Sequence, residues 1–409
     1  MKKIILFLAL MLLTIMSVYG FTDITSITNI TSGSHPAFTF SGIALCYEAG
    51  DLIYCGYSGD DPSNLYIFNP ATETWSNTSS SFASKIYYEN HACEEYNGDS
   101  YVYCASKDWT GDTTFTMLRM DDDGNNVFNL NVTNEPENVY LASYSCEIRP
   151  DTDEFWCVLR GQSGDQLYVT YYDIGDDIFN VVYSDLRPQY RIDGAWNDYG
   201  QGCTWDGTGE NFYCSGGTNQ DSSFEANRSQ ALAIYNVATN TSTYEDMPVI
   251  ASDGEFGGLH QSRVAGDTLW MYGFETAGFN EMVDTIVYYN IDLGMTAISP
   301  TTLLTEYTAE LGGCVKYNES TDYCLMGYAD EPFYNEFADV WRIDFEYTVA
   351  APSAPAAAAV EDDENIGGNI IALQNLQRSQ RAAVTPVNPI TQFILNLRAA
   401  ILRLFGIEP

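Results

Sequence analysis

Short runs in which apolar and polar residues alternate, rich in tyrosine, phenylalanine and β-branched side chains, succeed one another along most of the chain, with Gly, Asn, Asp and Pro between them. A period of two places one set of side chains on one face of an extended backbone, so these runs predict half-buried strands joined by turns. One phrase returns five times: DLIYC, DSYVYC, DEFWC, ENFYC and TDYC, ending at Cys55, Cys104, Cys157, Cys214 and Cys324. Each is preceded, nine to eleven residues earlier, by a second cysteine: Cys46, Cys93, Cys146, Cys203 and Cys314. These pairs use all ten cysteines. Two strands around a polar turn, repeated, are the wording of a β-hairpin in a modular all-β protein.

Aligned on the first cysteine of each pair, the chain divides into units of roughly fifty residues, the length of a propeller blade. Each unit supplies four strand-like runs, as in ALCYEAGDLIYCGYSG followed by NLYIFNPATETW. Between Cys214 and Cys324 there is room for one unit without cysteines, HQSRVAGDTLWMYG and DTIVYYNIDLGMTAIS, in which Ser262 and Met271 take the places of the pair. The last unit has only three strands, and the β-branched TDITSITNITSG upstream of the first unit is otherwise unassigned. That N-terminal strand is expected to complete the sixth sheet and close the ring, leaving no long exposed edge. The expected fold is a six-bladed β-propeller of four-stranded antiparallel sheets.

Directly opposed residues at a non-hydrogen-bonded position of a hairpin bring their Cα atoms to about 4.5 Å, at the short end of the disulfide range. Each pair is therefore expected to bridge the innermost strand of a blade to its neighbour, contributing up to roughly 2.5 to 3 kcal/mol by chain entropy. Pairing between adjacent blades, for instance Cys55 with Cys93, is the competing arrangement.

Aromatic strands ending in glycine (Gly216 and Gly217; singly Gly56, Gly273 and Gly327) and the apolar strand, Asn turn and aromatic of NLYIFNPATETW, with Trp75, resemble kelch and galactose-oxidase-like β-propellers over about residues 22 to 347. The resemblance implies the same radial architecture, with ligands met at the axial channel or on the loops around it.

Composition then narrows the setting. The chain opens with Lys2 and Lys3, an apolar run from Ile4 to Met16, and small residues before Phe21, which reads as a signal peptide over residues 1–20. The run is too short to span a bilayer, which takes roughly 20 apolar residues. Secretion puts the cysteines in an oxidising compartment, extracellular or at the cell surface. Acidic residues outnumber basic ones 56 to 17, for a net charge of -39. Nucleic acid is thereby an unsuitable partner, since its binding rests on basic grooves. Asn29, Asn77, Asn131, Asn227, Asn240 and Asn318 each begin an Asn-X-Ser/Thr triplet, which permits glycosylation.

Candidate chemistry is sparse. His91 and His260, two of three histidines, fall at the same place in their units, two residues before Cys93 and Ser262; Tyr144 and Gln201 hold that place in other units. In a propeller these positions converge on the axial channel, so His91, Tyr144, Gln201 and His260 are the expected binding residues. With every cysteine committed to a bridge and no histidine pair at ligand spacing, neither a metal nor a cofactor is expected. Asp121, Asp122, Asp123, Gly124 and Asn125 resemble the start of a calcium loop but lack its later glycine and glutamate, and a tight turn explains them better. Adjacent carboxylates such as Glu94 and Glu95 should point to opposite faces of a strand and make a poor acid/base pair.

After Tyr347 the composition changes to an Ala/Pro-rich acidic linker, residues 348–365, and then a basic amphipathic tail, residues 366–409. In its last segment Ile390, Phe393, Ile394, Leu397, Ile401 and Leu404 share one helical face. Such a tail suits a membrane surface, a partner or second copy, or packing on its own propeller. The functional expectation is a secreted or surface-tethered propeller that binds a glycan or protein. An extracellular carbohydrate-active enzyme of the sialate epimerase or glycosidase type, and a structural envelope component, are the alternatives.

Overall fold

The computed structural model describes residues 22–30, 45–56, 64–79, 92–107, 115–130, 132–134, 139–141, 146–161, 167–184, 186, 196–220, 226–228, 231–248, 259–275, 282–283, 285–302, 313–328 and 337–347. The leader at 1–20, the linker, the tail, His91, Tyr144 and Asn131 lie outside them.

The described strands form six antiparallel sheets. Blade one runs from the inside outward as Leu45–Ala49, Leu52–Gly56, Asn64–Asn69 and Thr74–Ser79. Blade two follows with Ala92–Tyr96, Tyr101–Lys107, Phe115–Met120 and Phe128–Asn129. In blade three the inner position is split between Val139–Leu141 and Glu147–Ile148, both pairing with Glu154–Gly161, and Leu167–Asp173 and Ile178–Ser184 complete it. Blade four is Trp196–Trp205, Asn211–Gln220, Ala231–Asn236 and Thr241–Asp246; blade five is Leu259–Ala265, Thr268–Glu275, Val287–Asn290 and Met295–Ile298. Blade six takes Gly313–Asn318, Thr321–Tyr328 and Phe337–Tyr347 from the end of the propeller, and its outermost strand is Thr22–Asn29 from the beginning. Thr22 lies opposite Tyr347 and Asn29 opposite Trp341, so the ring is closed by backbone hydrogen bonds between the two ends of the domain.

Alternation along the strands decides where the core lies. Both faces of a blade meet neighbouring blades, and six apolar clusters result, one for each interface. Tyr47, Tyr54, Val102, Leu118 and Met120 fill the space between blades one and two. Trp156, stacked on Tyr171 and edge-on to Trp205 at 4.9 Å between centroids, anchors the interface of blades three and four. At the closing interface Ile30, just beyond the N-terminal strand, joins Cys46, Phe68, Val315, Tyr323 and Val340, so blades six and one are sealed by the same kind of packing as the rest.

The five disulfides join Cys46 to Cys55, Cys93 to Cys104, Cys146 to Cys157, Cys203 to Cys214 and Cys314 to Cys324, with Cα separations of 4.0 to 4.7 Å. Every bridge is therefore within a blade, and the arrangement between blades is excluded. Ser262 and Met271 of blade five are opposed in the register that cysteines occupy elsewhere.

The outer hairpins share a turn whose chemistry is local. Asn69, Asp173, Asn236 and Asn290 each accept a backbone N–H from two or three residues ahead, at 2.8 to 2.9 Å, which bends the chain back into the outermost strand. Four residues after each of them the backbone is left-handed, at Glu73 (φ 53), Asp177 (φ 56), Asn240 (φ 52) and Gly294 (φ 59). Glycine and asparagine tolerate that region, whereas a long side chain is strained in it. Glu73 faces Arg342 only at 3.8 Å, and both are about a third exposed or more, so little holds the glutamate there. Glu73→Asn is expected to stabilise the protein by roughly 0.5 kcal/mol, read as a higher urea midpoint with an unchanged slope. The aspartate run in blade two is also a turn: Asp123 accepts from the backbone and side-chain nitrogens of Asn125, and Asp121 from the side chain of Asn126.

Candidate functional site at the propeller axis

The inner strands converge on a cavity of about 190 Å³ lined by Cys46, Cys93, Cys146, Cys203 and Cys314, the first cysteine of every pair. These sulfurs mark the axis. Residues just after the cysteines supply the polar wall: Glu48, Glu94, Glu95, Asn97, Glu147 and Lys316.

Strand alternation explains which way each points. The residue after the first cysteine faces the following blade. Tyr47 of blade one donates its hydroxyl to the Asp122 carbonyl of blade two at 3.0 Å. Glu94 of blade two accepts the backbone N–H of Ile148 in blade three, and Glu147 of blade three accepts that of Trp205 in blade four at 2.8 Å. Arg263 holds the same position in blade five and reaches Asp322 and the Asn318 carbonyl of blade six. Val315, its counterpart in blade six, packs on blade one. The next residue along faces back: Glu95 accepts the Gly50 N–H of blade one at 3.1 Å. Glu94 and Glu95 thus separate to opposite sides as their adjacency requires, and Glu94 finds its carboxylate neighbour in another blade.

Lys316 crosses the axis. From blade six its ammonium pairs with Glu147 of blade three and donates to the Thr204 hydroxyl of blade four at 2.5 Å. Among the described residues lining the cavity it is the one cation. Glu94 consequently keeps an uncompensated environment: burial, and then the Glu147 charge, push its carboxyl up to about 8, against the lowering effects of the Ile148 N–H and Lys316. Burial, with Glu95 and Asp51 nearby, also raises Glu48 in spite of the Asp51 N–H it accepts. The wall thus favours the protonated form of Glu94 at neutral pH, beside a Glu147 side chain paired with Lys316.

Gln201 lies in the inner strand of blade four opposite Gly216, and His260 in that of blade five, each two residues before the cysteine position. His91 and Tyr144 lie outside the described residues. Glu48, Glu94, Glu147 and Lys316 were not singled out from the sequence as a site. The signal was present as a column: read one and two places after each first cysteine, the units show Glu94 and Glu147, then Glu48, Glu95 and Lys316.

Among the triplet asparagines, Asn29, Asn240 and Asn318 are exposed. Asn240 also accepts the Tyr235 hydroxyl at 3.0 Å, and Asn318 the Ser320 N–H at 2.9 Å.

No protein-family model matches the chain, and no curated protein matches it in sequence. Among solved structures it is similar to a protein of unknown function from Dyadobacter fermentans, at 9% identity and a TM-score of 0.53, over 80% of this chain and 99% of that one. A luciferin-regenerating enzyme aligns over 80% of this chain and 95% of its own with 10% identity and a TM-score of 0.43. At such identities a likeness concerns the fold alone. By architecture the chain is a six-bladed β-propeller with one disulfide in each of five blades, and its bridges accord with an oxidising, extracellular setting.

Proposed function

We propose that the protein is a secreted or cell-surface binding module of kelch-like type, which presents its axial recess and the loops around it to a glycan or protein. The observation that carries this reading is the recess itself: a small polar cavity on inner hairpins that disulfides and inter-blade hydrogen bonds hold rigid. A pre-organised site loses little conformational freedom on binding, which favours recognition. In this reading the basic tail, with Arg378, Arg381, Arg398 and Arg403, holds the propeller near a membrane surface or a partner. The exposed triplets carry glycans.

One observation favours a second reading, a carbohydrate-active enzyme with an axial active site. Burial raises Glu94 while nearby Glu147 is paired with Lys316, and two carboxyl groups in unlike environments are what general acid/base chemistry requires. A glycan array run beside a glycosidase and sialate-epimerase screen separates the two. Binding without turnover is the expected result. Turnover that disappears in Glu94→Gln, or in His91→Ala, would replace the binding reading with the enzymatic one.

A further inference from the structure

We propose that the axial cavity binds a small protonated amine, through Glu48 and Glu94; this rests on the binding reading above and specifies its ligand. The wall is rich in acceptors and poor in donors. Glu48 Oε1, Glu94 Oε2 and Glu95 Oε2 each take one backbone N–H, from Asp51, Ile148 and Gly50. Among the described residues, the second oxygen of each of these carboxyl groups has no hydrogen-bond donor. Among the described lining side chains, Tyr47 already donates to the Asp122 carbonyl and Lys316 to Glu147 and Thr204, which leaves the carboxyl groups of blades one and two short of a donor.

The chain itself shows which cation suits the wall. Lys316 brings an ammonium across the axis and lodges it against Glu147 and Thr204. That group is an internal example of an alkylammonium held by a carboxylate and a hydroxyl in this cavity. It satisfies the side formed by blades three and four and leaves the carboxyl groups of blades one and two for a ligand. A metal ion suits the geometry less well. Among the described residues no three His, Cys, Asp or Glu side chains converge closely enough to hold one, whereas an ammonium with three diverging protons is satisfied by spaced acceptors. A cavity of about 190 Å³ admits an amine on a short carbon frame. An amino sugar and a lysine side chain share this chemistry.

Among the described residues the titratable groups lining the cavity are Tyr47, Glu48, Glu94, Glu95, Glu147 and Lys316. An entering ammonium favours ionised Glu94, so its arrival should drive a proton out. Binding of a lysine ammonium, which stays charged throughout this range, should release protons at pH 7 and tighten as the pH rises toward 8.5.

Calorimetry on the full chain in 150 mM NaCl tests this, with glucosamine and Nα-acetyl-lysine amide as probes and N-acetylglucosamine as the uncharged control. At least one amine is expected to bind ten-fold or more tightly than the control, with proton release seen as a dependence of the heat on buffer. Glu48→Gln and Glu94→Gln should each weaken it ten-fold or more. Asp176→Asn, in an exposed turn, reports non-specific attraction to the acidic surface and should have no effect. Glucosamine binding alone identifies an amino sugar as the source, and lysine amide alone a protein side chain. Equal binding of the uncharged control, or indifference to both glutamate changes in variants that keep the wild-type melting temperature, overturns the inference. If no amine binds while the glycan array is positive, the amine inference falls and the binding reading stands. If neither shows a ligand, the amine inference and the glycan half of the binding reading both fall.

Discussion

Replacing Arg263 by methionine is expected to lower the unfolding free energy by about 3 to 5 kcal/mol, among the largest effects of any single substitution in this propeller. Arg263 is 3% exposed and Asp322 fully buried, and the two pair across the interface of blades five and six. The guanidinium also donates to the Asn318 carbonyl, lies 4.9 Å from the Phe345 ring, and shares Asp322 with the Tyr272 hydroxyl. Burial raises the Asp322 carboxyl even with Arg263 beside it, so the pair is already poorly solvated. Methionine fills much of the volume and leaves a buried carboxylate without its counter-charge. Urea denaturation at pH 7 measures the loss. The triple change Arg263→Met, Asp322→Leu and Tyr272→Phe should recover most of it, because removing every polar member leaves none unpaired. A loss under 1 kcal/mol in the single variant would show that water reaches this interface. The position matters because blade five has no disulfide. There the column that elsewhere supplies glutamates places a buried ionic tie to blade six.

Stability should also fall as the pH rises from mildly acidic to mildly basic, by on the order of 3 kcal/mol from Glu94. The ordinary glutamate value is 4.5, and the folded protein holds Glu94 near 8. Below pH 4.5 both folded and unfolded states carry the proton and the group contributes nothing. Between these values only the folded state keeps it, so the unfolded state gains relative stability with each step in pH. Above 8 the whole penalty is in force. Glu48, Asp292 and Asp322 are also raised, chiefly by burial, and act with the same sign. Chemical denaturation at pH 5 and pH 8.5 measures the difference. Glu94→Gln, which retains an acceptor for the Ile148 N–H, should be more stable than the parent at pH 8.5 and flatten the profile. A parent whose stability rises over this interval would show that the axial carboxyl is ionised at neutral pH.

The blade count was legible because the repeat is written in covalent chemistry and alternation. Opposed cysteines can bridge only at fixed register, so Cys46 and Cys55, or Cys203 and Cys214, located both strands and turn. The missing pair at Ser262 and Met271 was legible for the same reason. So was the closing strand, since Thr22–Asn29 had the composition of a strand and the last unit lacked one. The split inner strand of blade three was not legible, because its two pieces, Val139–Leu141 and Glu147–Ile148, make one sheet position from residues apart in sequence.

The inner hairpins and the disulfides within them depend on interactions within about a dozen residues, and their repetition along the chain let the sequence alone determine the blade count. The axial site depends on which residues of different blades face one another. Glu94 and Glu147 are 53 positions apart, and Lys316 meets Glu147 across 169. Their meeting follows from closure of the ring, which turns the residue after each cysteine toward the next blade and leaves Lys316 to span the axis. Periodicity within one blade holds no information about that encounter, so only the tertiary structure could decide it.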